Sequence, residues 1–133
     1  DWPTRVAATE GYAPNLALAA ERLAPYGVEV KEADSNERQV LPFDDGSFDV
    51  VLSSYAIHNI SGTAGRAKAV SEAVRVLRPG GRLLIADVRG TRLYEATLRT
   101  LGMQDVFRGR FGGSFWRGGA SVITAFVRGT KPG

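Results

Sequence analysis

The hydrophobic and polar positions change period along the chain, and each change marks an element. Arg5 to Thr9 is short, apolar and partly β-branched, and it stops at Glu10-Gly11; it reads as a buried strand. Pro14 suits the first turn of a helix, where its missing N–H costs nothing. Leu16, Ala20 and Leu23 then recur at i, i+4 and i+7, which predicts an amphipathic helix over 14–24, ended by Pro25 and Gly27. Val28 to Ala33 alternates at first and stops at Asp34, the pattern of an edge or near-edge strand. Ser35 to Gly46 is a polar connection with a turn at Asp45-Gly46. Phe48 to Ser53 is almost continuously apolar, as a central strand covered on both faces would be.

Thr63 to Leu77 is predicted to be a helix with a buried stripe of Ala67, Val70, Val74 and Leu77. That leaves Lys68, Glu72, Arg75 and Arg78 mainly outside the stripe. Arg78-Pro79-Gly80-Gly81 stops it, and Arg82 to Val88 is a second buried strand. Thr91 is placed to cap a helix running to Leu101, with Tyr94, Leu98 and Leu101 on one face. Gln104 to Phe111 and Ser121 to Arg128 read as an antiparallel pair joined by a glycine-rich connection containing Trp116.

Alternating β and α elements predict an α/β fold, a doubly wound and mostly parallel sheet to which the last two strands add an antiparallel pair. No repeat or linker interrupts the 133 residues, so one domain over 1–133 is expected. Ligands of such sheets bind beyond the carboxyl ends of the strands. The residues at those ends are Glu10, Asp34, Ser53 to His58, and Asp87.

Composition narrows the chemistry. There is no cysteine, which excludes a disulfide scaffold, a thiolate metal site and a cysteine nucleophile. A single histidine excludes a multi-histidine metal centre; a carboxylate-only site is the remaining metal option, and no metal site is expected. No apolar stretch approaches a membrane span and nothing reads as a signal peptide, so a cytoplasmic protein is expected. The net charge of +3 hides an asymmetry: residues 1–60 hold 4 basic and 10 acidic side chains, and residues 61–133 hold 13 and 4. The arginines are scattered and no run of them interleaves with aromatics. The asymmetry is therefore read as attraction within one fold, and nucleic acid is not the favoured partner.

Glu10 ends the first strand, where a carboxylate can accept hydrogen bonds from both hydroxyls of a ribose. Its alternative role is to complement the dipole of the helix that follows. Gly11 and Tyr12 come next, and the Tyr12 ring either covers a purine or packs on that helix. Asp34 can accept from the exocyclic amine of adenine or simply form a turn. His58, just after the central strand, can orient a substrate or act as a general base; as a lone histidine it can equally be a packing residue. Asp87 either braces the sheet rim or touches substrate. Gly80-Gly81 is not a phosphate loop, because it follows a helix and precedes a strand.

The stretch Leu41 to Ile60, L-P-F-D-D-G-S-F-D-V-V-L-S-S-Y-A-I-H-N-I, resembles the fourth-strand motif of class I S-adenosylmethionine-dependent methyltransferases of the type 11 group. Glu72 to Val88, E-A-V-R-V-L-R-P-G-G-R-L-L-I-A-D-V, resembles the helix and fifth strand of the same family, in the same order and at a matching separation. Val6 to Glu10 resembles the second strand with its ribose acid, and Val28 to Asp34 the third with its adenine acid. The resemblance implies an S-adenosylmethionine site. Glu10, Gly11 and Tyr12 would serve the ribose side, and Asp34 and Ser35 would border adenine. Ser53, Ser54 and Tyr55 would run along the methionine moiety, and His58 with Tyr55 would face the acceptor.

The family's first strand and glycine-rich loop have no counterpart before Arg5, so the chain is expected to be a fragment that lacks the middle of its sheet. The function implied is methyl transfer to an acceptor expected to be a small molecule. The competing readings are a non-catalytic fragment of this fold, a nucleic-acid-acting methyltransferase and a nicotinamide-dependent oxidoreductase.

Overall fold

The computed structural model describes residues 6–10, 13–26, 28–32, 40–110 and 124–133. The chain divides into two compact units, Asp1–Pro42 and Phe43–Gly133, each considered by itself.

In the first unit, β1 (Val6–Glu10) leads into α1 (Ala13–Leu23), a single 3-10 turn over Ala24–Tyr26, and β2 (Val28–Glu32). The two strands are parallel, in a register that runs from Val6 opposite Val28 to Glu10 opposite Glu32. Glu10 is thus the last residue of β1, as the sequence pattern predicts. Gly11, Tyr12, Asp34 and Ser35 lie outside the described residues.

The second unit runs β3 (Phe48–Ser54), a 3-10 turn over Ile57–Asn59, α2 (Thr63–Val76), β4 (Leu77–Asp87), α3 (Thr91–Thr100), β5 (Gln104–Arg110) and β6 (Ala125–Thr130). The sheet order is β3-β4-β6-β5. β3 and β4 are parallel, and β6 is antiparallel to both β4 and β5. The core collects Val70 and Val74 from α2, Leu77, Leu83 and Ile85 from β4, Tyr94 and Leu98 from α3, and Val127 from β6. The parallel α/β architecture with its terminal antiparallel pair is therefore present. Among the described residues no strand joins β1–β2 to β3, so the sheet is incomplete.

Several local expectations are corrected. β3 is an edge strand among the described residues, not one covered on both faces: Val51 packs against the core, while Leu52 is 72% exposed. Glu72 is buried, not outside the stripe of α2, because Arg75 one turn on grips its carboxylate with Nε at 2.7 Å and a second nitrogen at 3.0 Å. The same guanidinium donates to the Phe43 carbonyl at 2.8 Å and to Asp45 at 2.7 Å, while the amide of Gly46 donates to the Arg75 carbonyl at 2.9 Å. The L-P-F-D-D-G-S-F segment is thereby tied to the end of α2, next to the amino end of β3.

The glycines of R-P-G-G do more than stop a helix. α2 already ends at Val76, and Leu77 to Gly81 belong to β4. Gly80 adopts φ +81, and a Cβ on Gly81 would lie 2.8 Å from the Arg78 carbonyl oxygen. Both positions therefore demand glycine for backbone reasons. Thr91 is the first residue of α3 rather than its cap; left-handed Gly90 takes that place. Leu101 lies past the helix end and is exposed. β6 covers Ala125–Thr130; Phe111, Trp116 and Ser121 lie outside the described residues.

The end of α2 gains a cation. Lys131 Nζ donates to the Val74 carbonyl at 2.9 Å, which also accepts from the Leu77 amide, and to the Leu77 carbonyl at 2.7 Å. Lys131→Met is expected to cost about 1–2 kcal/mol of stability. An unchanged urea midpoint would contradict this role. Among the described residues no helix is long and apolar enough to cross a membrane.

Candidate functional site

β3 and β4 run parallel, with Ser53 opposite Ile85 and Ser54 opposite Ala86, so their carboxyl ends form one rim. Beyond Ser54 the backbone turns sharply. Tyr55 adopts φ +54, a left-handed conformation that a side chain with a Cβ rarely takes. Two contacts hold it there: its amide donates to the Ala86 carbonyl at 2.9 Å, and its hydroxyl lies 2.7 Å from the Thr124 hydroxyl. A strained residue at a strand end, fixed on both sides, is a frequent mark of a functional rim. The turn over Ile57–Asn59 then brings His58 back toward β4.

Asp87, the last residue of β4, is fully buried and is the hub of this rim. Its Oδ1 accepts from the Val88 amide at 2.8 Å and lies 2.5 Å from His58 Nδ1. Its Oδ2 accepts from the His58 amide at 3.1 Å and from the Tyr94 hydroxyl at 3.0 Å. Tyr94 comes from the first turn of α3, which starts directly after the rim. Gly90 makes that approach possible, since a Cβ there would lie 2.8 Å from the Tyr94 hydroxyl oxygen.

Burial of Tyr94, with the Asp87 charge and hydrogen bond adding to it, holds the phenol well above its ordinary range; the charges of Arg66 and Arg89 oppose the shift. A raised folded-state phenol contributes stability below the unfolded pKa and loses it as pH rises through the folded one. Stability is therefore expected to fall from about pH 10 upward, by up to about 1.4 kcal/mol per pH unit. Tyr94→Phe should flatten that alkaline loss. Parallel alkaline profiles of the two proteins would contradict it.

An open cleft of about 360 Å³ adjoins Val88 and Gly90, with Arg92, Arg108 and Arg110 in its wall. Among the described residues no group of three or more histidine or acidic side chains could hold a metal ion.

The structure thus brings Ser53, Ser54, Tyr55 and His58 together with Asp87 on one rim. It places Glu10 at the carboxyl end of β1. The partnership of Asp87 with His58 and Tyr94 was not read from the sequence; its only trace there is an acid and a histidine at the ends of neighbouring strands. The rim segment Ser53 to Ile60 holds no lysine or arginine.

Comparison with known proteins agrees with this layout. A family described as a methyltransferase domain matches residues 2–85, which span β1 to most of β4. The demethylmenaquinone methyltransferase of Thermus thermophilus is 41% identical over 76 residues, covering 56% of this chain and 32% of that protein. The matched segment is thus about a third of that relative's length. Among solved structures, the N-methyltransferase NodS from Bradyrhizobium japonicum WM9 superposes with a TM-score of 0.78 at 16% identity, covering 97% of this chain and 74% of that one. The cyclase SpnF superposes with a TM-score of 0.74 at 15% identity, covering 96% of this chain and 67% of that one. These structural likenesses show the fold alone, and a cyclase among them shows that the fold does not dictate the reaction.

Proposed function

Because the chain belongs to the methyltransferase-domain family, we propose that it serves S-adenosylmethionine-dependent methyl transfer to a small-molecule acceptor. The observation that carries this reading is the family match over residues 2–85, a span that contains every residue assigned below to the cofactor. By their places in the family's motifs, Glu10 takes the ribose hydroxyls, flanked by Gly11 and Tyr12, and Asp34 and Ser35 border adenine. Ser53, Ser54 and Tyr55 follow the methionine moiety, and His58 faces the acceptor.

The cofactor supplies a methyl group already activated on a sulfonium. The chain's part is to orient the acceptor, exclude water and receive any proton the acceptor gives up. The fixed turn at Tyr55 supports the first task, because a rim braced by two hydrogen bonds holds its geometry without reorganising. The small-molecule class is supported by the Thermus relative, whose name specifies a quinone acceptor.

Methyl-labelled S-adenosylmethionine, offered with a chemically reduced demethylmenaquinone-type quinol or with a duplex and a structured RNA, tests the reading. Label is expected in the quinol. Label in nucleic acid alone would overturn the small-molecule assignment.

A further inference from the structure

The histidine–aspartate–tyrosine cluster carries an inference about what kind of acceptor is methylated. The two main-chain amides that reach Asp87 can only donate, and they occupy both carboxylate oxygens: Val88 at Oδ1 and His58 at Oδ2. The Tyr94 hydroxyl adds a third donor at Oδ2, and its raised phenol range keeps it protonated. As a carboxylate Asp87 only accepts, so the hydrogen between Oδ1 and Nδ1 of His58 sits on the ring. The neutral ring then has its lone pair at Nε2. That nitrogen has no hydrogen-bond partner among the described residues, and the side chain keeps 18% of its surface open.

We infer that Asp87 and Tyr94 are positioning residues that fix His58 as its Nδ1-protonated tautomer, leaving Nε2 as the base for an acceptor, such as a quinol, that gives up a proton as its nucleophilic atom is methylated. The inference rests on the methyl-transfer reading above. As the acceptor atom bonds to the methyl carbon, the carbon–sulfur bond breaks and its electron pair stays on sulfur. The acceptor's proton passes to Nε2, and the protonated ring later returns it to water. Acceptors with no proton to lose, such as thioethers and tertiary amines, have no use for this arrangement.

His58 is the only histidine in the sequence, so histidine labelled with nitrogen-15 gives a single ring system. Two-bond proton–nitrogen correlations at about pH 9, where an ordinary histidine ring is neutral, report its tautomer directly. The Nδ1–H form is expected to exceed the other at least about tenfold. Asp87→Asn replaces one acceptor oxygen by a donor, which unfixes the tautomer, and the excess is expected to fall at least about fivefold. With the reduced quinol as acceptor, His58→Gln should lower kcat about 100-fold and leave KM within about threefold.

An Nε2–H ring in the unaltered chain overturns the inference, whether or not the Asp87 variant folds. Binding of S-adenosylhomocysteine, measured on the same samples, separates the two levels. Binding with an Nε2–H ring overturns the inference and keeps the methyl-transfer reading. An Nδ1–H ring without binding overturns that reading, and with it the role given to Nε2.

Discussion

Replacing Glu10 by alanine is expected to weaken S-adenosylmethionine binding at least about a hundredfold, while His58→Ala leaves it within about threefold. Glu10 ends β1, where the proposal gives its carboxylate both ribose hydroxyls. Hydrogen bonds to a charged acceptor contribute roughly 1.5–3 kcal/mol each, and about 1.4 kcal/mol is a tenfold change in affinity. Two such bonds therefore outweigh anything His58 offers the cofactor, because its Nδ1 is committed to Asp87 and its free edge is assigned to the acceptor. Calorimetric titration of both variants checks the ranking. Equal losses would remove the ribose assignment.

Arg75→Met is expected to destabilise the second unit by about 3 kcal/mol, the largest effect of any single change away from the rim. The Glu72 side chain is 5% exposed and that of Arg75 is 28% exposed, so the pair is buried on one side only. Removing a partner from a fully buried pair costs about 3–5 kcal/mol, and the partial exposure of Arg75 sets the lower end. Lys68 is a poor substitute at 4.0 Å from the same carboxylate. The segment from Phe43 to Gly46 would also lose two donated hydrogen bonds. The double variant Glu72→Gln with Arg75→Met should recover part of the loss, because it also removes the charge that Arg75 balances. Urea melts of the two variants measure both values; a single variant within about 0.5 kcal/mol of the parent would contradict the clamp.

How far the sequence foretells this molecule depends on the range of the forces involved. The order of strands and helices is legible because periodicity is local: Val70 and Val74 on one face of α2, and Leu83 and Ile85 in β4, are buried as expected. Glu72 was misplaced because its burial depends on Arg75 and on Phe43 and Asp45 some 30 residues earlier, a pairing that no helical period encodes. Val50 and Leu52 lie exposed on one face of β3, and an apolar run cannot reveal whether an element packs on that face. At the candidate site, strand-end positions picked out Glu10, Ser53 to His58 and Asp87. The bond between His58 and Asp87 needed the register of β3 on β4 and the strained turn at Tyr55, both set by tertiary pairing. The L-P-F-D-D-G-S-F motif that carried most of the family resemblance is a structural clamp next to the amino end of β3, away from the rim.

The most direct test of a cofactor site at the carboxyl ends is backbone amide mapping by NMR, adding S-adenosylhomocysteine to the nitrogen-15-labelled chain. Shifts are expected at Glu10, from Ser54 to His58, and at Asp87 and Val88, with Gly46, Gly80, Gly81 and Lys131 unmoved near the amino ends of β3 and β4. Shifts confined to those amino-end residues, or none at saturating ligand, would contradict it.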